Sequence, residues 1–199
     1  SMILLFNRTS VAHEATVELI SVAAELLYAV AAIVILYFSF RKTKSPEIFF
    51  FILFIISMCF DSLKAPFALF TALDVAPYYG MLLTRAVYFG RFLGTLAVLT
   101  SGLFPLGAEY QRMEIYIGVS FLLSFALSAA VKVDMTKIDP VMLFQMGHMR
   151  ELGIISVIFL FFGVLNFILY AIQNSSRDHL FLAAGLALAI IGREIHFYT

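Results

Sequence analysis

Residues 78–105 read YYGMLLTRAVYFGRFLGTLAVLTSGLFP, an apolar run with two arginines, Arg85 and Arg91, set into it. At about 1.5 Å of rise per residue, a helix of this length crosses the roughly 30 Å hydrocarbon core of a bilayer with some tilt. Arg91 then lies near mid-span, where a cation costs at least about 2.5 kcal/mol and is kept only if it meets a partner or water. Something elsewhere in the chain must answer it. Steps of three and four place Thr84, Tyr88, Arg91 and Thr95 on one face, so this helix shows its neighbours a polar stripe.

The rest of the chain has the same character. Its 199 residues are 62% hydrophobic and 13% charged, with a mean hydropathy of +0.99. Soluble domains average about 25% charged residues. The expected fold class is therefore all-α, a polytopic integral membrane protein in one transmembrane domain, with the bilayer as its first partner. Zero net charge argues against nucleic acid, which is met by a basic patch. Cys59 is the only cysteine, so neither an intrachain disulfide nor a thiolate cluster is available. The apolar start at residues 2–6 is too short for a signal-peptide core.

Six spans are expected, at about 14–40, 46–73, 78–106, 115–131, 152–172 and 180–198. Pro66 is expected to bend the second. An even count puts both termini on one side. The cluster Arg41, Lys42 and Lys44 marks the opposite side as cytoplasmic, so the termini are expected outside a plasma membrane. The fourth span offers Ser120, Ser124 and Ser128 at i, i+4 and i+8, a small-residue face suited to close helix packing.

The ionisable residues sort by depth. Glu18 and Glu25 share a face of the first span, Asp61 and Lys64 a face of the second, Arg85 and Arg91 lie on the third, and Arg193 and Glu194 near the end of the sixth. Because successive spans alternate direction, all eight fall in the half of the bilayer nearer the termini. Four acids face four bases, which suggests one shared network with a ligand-binding cavity among the first, second, third and sixth spans. A plainer reading competes: the pairs merely knit the bundle together, and Glu18, Arg85 and Arg193, nearer the interface, snorkel to the headgroups.

Over the same half runs the longest loop, 132–150. Asp139 followed by Pro140 reads as a helix start, so one or two interfacial turns are expected at 141–149, placed to act as a lid. Met135, Met142, Met146, Met149 and His148 are soft donors that suit copper, but methionine is as often an adaptable apolar filler, and neither metal nor cofactor is expected.

No motif here carries a resemblance to a known family, and no internal repeat is legible. The leading functional expectation is capture of a small polar or amphipathic ligand, as in a transporter or receptor, with Arg91, Lys64 and Arg85 holding an anionic group. One alternative is an enzyme acting on lipid headgroups with a carboxylate base and His148 or His196. Another is a sensory membrane module working through a partner protein or a second copy of the chain.

Overall fold

In the computed structural model, which describes residues 23–24, 26–73, 75–138, 143–175 and 177–198, the long apolar runs fold as helices. They are α1 (Leu26–Thr43), α2 (Pro46–Met58), α3 (Lys64–Ala72), α4 (Pro77–Ser101), α5 (Met113–Ala130), α6 (Met149–Gln173) and α7 (Arg177–Tyr198). Among the described residues, five helical stretches are long and apolar enough to cross a membrane: Leu26–Thr43, Pro46–Phe67, Pro77–Ser101, Tyr110–Ala130 and Arg150–Gln173. The run expected at 180–198 forms α7, which carries Arg177, Asp178, Arg193 and Glu194.

Helix α4 is the axis of the bundle. Pro77 sits in its first turn, where a missing N–H breaks no helical bond, and at the far end the Gly102 amide donates to the Val98 carbonyl at 3.1 Å. Of its span 61% is buried, against 17% for each of the α5 and α6 stretches and 6% for α1, so α4 is the helix the others surround. It packs against α2, α3, α5 and α6. Phe50, Leu53 and Phe54 of α2, Leu93, Ala97 and Val98 of α4, Leu160 and Phe167 of α6, and Ala183 and Leu186 of α7 make one continuous core. The outer faces stay apolar: Leu122, Phe125, Phe161 and Leu188 are all exposed, a surface that suits hydrocarbon rather than water.

On the otherwise exposed α5, Ser120, Ser124 and Ser128 are buried, on the helix that packs beside α4. The Ser124 hydroxyl donates to the Ser120 carbonyl at 2.6 Å and the Ser128 hydroxyl to the Phe125 carbonyl at 3.0 Å. These hydroxyls thus need nothing from the neighbouring helix, which can approach closely.

Two expectations need correction. The second span is not one bent helix: α2 stops at Met58, a single 3-10 turn occupies Asp61–Leu63, and α3 starts at Lys64. The interruption lies ahead of Pro66 because the proline ring has no N–H for the carbonyl four residues back, at Ser62, and crowds it. Nor is the fold purely helical. The loop expected to make helical turns at 141–149 instead carries an antiparallel pair of strands, β1 (Val133–Ile138) and β2 (Phe144–Met146), and α6 begins at Met149. The expected start at Asp139 and Pro140 lies outside the described residues. Alternation decides β2: Phe144 and Met146 point inward on either side of exposed Gln145. With Leu143 they bury against Phe67, Val87, Tyr88 and Phe92. The Phe144 amide donates to the Thr84 hydroxyl at 3.3 Å, and its ring meets Phe67 edge-on at 5.1 Å. The loop therefore does cover the N-terminal half of α4, as a hairpin.

Candidate functional site

The charged residues meet where α7 ends against the break between α2 and α3. Arg193 is 5% exposed and does not snorkel; it turns inward, against the interface reading of it. Its Nε donates to Asp61 Oδ2 at 3.1 Å, and its Nη2 lies 3.5 Å from the Ser57 carbonyl. The guanidinium carbon stands 5.6 Å from the centre of the Phe54 ring, close enough for a cation–π contact. The side chains of this pair are 4% and 2% exposed, so the pair is sealed. Removing one partner of such a pair typically costs about 3–5 kcal/mol, because the other is left as a bare buried charge.

The next residue makes the second pair. Glu194 Oε2 accepts from Arg91 Nη2 at 2.6 Å, and here the side chains are 26% and 11% exposed. Arg91, the cation that opened the problem, is thus answered from α7 by Glu194. Two consecutive residues of α7 with opposite charges engage two different elements, the 3-10 turn and α4.

What lets them in is glycine. Gly90 and Gly94, four apart on α4, form a close-approach pair. A Cβ on Gly90 would overlap Phe60 and come within 2.9 Å of the Ser57 carbonyl oxygen, while one on Gly94 would overlap the Ser57 hydroxyl and Arg193 Nη1. The space a side chain would fill is taken by the broken helix and the guanidinium. The Ser57 hydroxyl donates to the Phe54 carbonyl at 2.6 Å, turning it away from competition for Arg193.

Lys64, the first residue of α3, is half-buried beside this cluster in sequence. Arg85 is half-buried on α4, and its Nε finds no hydrogen-bond acceptor among the described residues; Asp61 Oδ1 likewise finds no donor among them. Glu18 and Glu25 lie outside the described residues. Of the eight expected residues, Asp61, Arg91, Arg193 and Glu194 are joined in pairs.

A separate cleft of about 410 Å³ opens at the hairpin, lined by Asp134, Gln145, Met146, Gly147, His148, Arg150 and Glu151. His148 Nδ1 lies 3.9 Å from Glu151 Oε2 with both side chains largely in solvent, a contact too loose to orient an imidazole for proton transfer. The Met146 side chain is buried in the apolar cluster under the hairpin. Among the described residues, no group of three or more histidine, cysteine, aspartate or glutamate side chains converges in a way that would hold a metal ion. Beside the cleft, the Thr136 hydroxyl and amide both donate to Asp134 Oδ1, at 2.5 and 3.0 Å, and hold that carboxyl below the usual carboxylate range, with Lys137 adding to the effect.

Sequence reasoning missed Ser57, Phe54 and the two glycines. Their signal was present in the spacing of Gly90 and Gly94 on either side of Arg91. No protein-family model matches this chain, and no curated protein shows significant similarity to it.

Proposed function

We propose that this is an integral membrane protein of six spans, in the plasma membrane with both termini outside, that captures a small polar or amphipathic ligand by its anionic group, in the manner of a transporter or receptor. Arg91 is the docking cation and Glu194 the internal anion that the ligand replaces. The observation that supports this reading is the contrast between the two pairs. Asp61 and Arg193 are sealed at 2% and 4% exposure, whereas Glu194 keeps 26% of its side chain accessible and can be exchanged. An anion arriving at Arg91 inherits a site already desolvated on its far side by α4, where a charge-assisted hydrogen bond is about twice as strong as a neutral one. The site needs no new cation to receive it.

The test is native mass spectrometry of the protein released from nanodiscs, comparing wild type with Arg91→Ala and Arg91→Lys. Wild type is expected to carry a small-molecule adduct, the alanine variant to lack it while remaining monodisperse, and the lysine variant to keep a fraction. An adduct of the same mass and occupancy on Arg91→Ala, or none on wild type, overturns the assignment.

A further inference from the structure

We infer that α7 is a two-pronged latch holding the break between α2 and α3 shut, so that freeing Glu194 from Arg91 loosens the segment 59–72. This deepens the ligand reading and rests on it only for what displaces Glu194. Residues 193 and 194 are adjacent on one helix, and neighbouring side chains leave a helix about 100° apart. Each prong fixes the rotation of α7 for the other. Glu194 is anchored on α4 and Arg193 on Asp61, and Asp61 belongs to the 3-10 turn, the one place where the chain between Pro46 and Ala72 departs from α-helical hydrogen bonding.

Phe60 lies on Gly90 and stacks edge-on against Phe89 at 5.6 Å, and the Ser62 hydroxyl donates back to the Cys59 carbonyl at 2.6 Å, within its own segment. Arg193 cross-links this turn to α7, through Asp61 and the Ser57 carbonyl. If the Glu194 prong lets go, α7 loses its anchor on α4, and Arg193 can shift off a carboxylate whose other oxygen has no hydrogen-bond donor among the described residues to take over. The segment then opens as a unit, because α3 has no α-helical continuity with α2.

The chain carries its own reporter. Cys59, the single cysteine, is half-buried at the interruption itself. The experiment measures the rate of Cys59 labelling by a maleimide in detergent-solubilised protein, after exhaustive detergent exchange to strip bound small molecules. Glu194→Gln and Asp61→Asn are each expected to label about tenfold faster than wild type, as befits weakening one buried charge pair. The exchanged pair Arg91→Glu with Glu194→Arg is expected to return to the wild-type rate, which shows that the charge pair, and not the loss of one side chain, sets the rate. Glu194→Gln labelling at the wild-type rate, with or without acceleration in Asp61→Asn, overturns the latch, and so does failure of the exchanged pair to restore the rate. Because no ligand is present, these outcomes are independent of the adduct test: a latch without an adduct removes the ligand reading alone.

Discussion

Gly94→Ala places a methyl group where α4, the Ser57 hydroxyl and Arg193 Nη1 already meet, and neither neighbour has room to retreat cheaply. Ser57 is fully buried and belongs to the backbone turn at the end of α2; Arg193 is tied to Asp61. Alanine by itself favours a helix over glycine by about 1 kcal/mol. Against that gain, forcing an extra methyl into a filled core costs about 1–3 kcal/mol. If the guanidinium yields and leaves Asp61, a further cost of about 3–5 kcal/mol follows from the uncompensated carboxylate. The guanidinium is the softer neighbour, so both terms apply, and the net loss is about 3–7 kcal/mol. For a chain of this size that lowers the melting temperature by at least about 6 °C. The chain has no tryptophan, so the melt is followed by circular dichroism in detergent micelles. The matched control is Gly118→Ala on α5, where an added Cβ meets nothing within 4 Å and helix propensity alone acts, raising stability by up to about 1 kcal/mol. A Gly94→Ala protein that melts at or above the wild-type temperature would refute the close-approach account of the site.

Asp61→Ala should cost about 3–5 kcal/mol by stranding Arg193, whereas Asp61→Leu combined with Arg193→Met should recover most of that loss, because two apolar groups leave no bare charge; thermal melts of the three proteins decide it. At the hairpin, the lowered Asp134 carboxyl makes its turn sensitive to acid: its contribution is complete above the ordinary carboxylate range and fades as pH falls through the lowered native value. Amide hydrogen exchange of residues 134–138, corrected for intrinsic rates, should therefore quicken at acid pH in wild type, while Asp134→Asn shows the faster exchange at every pH.

Helix positions were legible because nothing in the chain competes with them: apolar runs bounded by Pro46, Pro77 and short polar links map closely onto α2, α4, α5 and α6. The serine triplet on α5 was legible for the same reason, since three small polar residues at helical spacing have one face to hide. Asp61, Arg91 and Arg193 were legible as charges to be buried, but not their partners. Charges set among apolar helices must be neutralised, which residue types reveal, yet a count of four acids and four bases permits many pairings, and distance along the chain ranks none of them. Asp61 and Arg193 are joined across 132 positions. The hairpin was misread because Asp139 and Pro140 are a strong local helix start, while the preference of Leu143, Phe144 and Met146 for a shared apolar pocket on α4 is a tertiary effect that overrides it.

That hairpin bears on how the protein can be studied. A chain of 22.3 kDa with short connections offers an electron microscope little to align on. One strand of the ribbon is riveted to α4 through Leu143, Phe144 and Met146, while residues 135–138 of the other stand clear in solvent. A binding domain or nanobody epitope grafted there would stand away from the helices yet inherit their orientation, giving a fiducial mark for imaging.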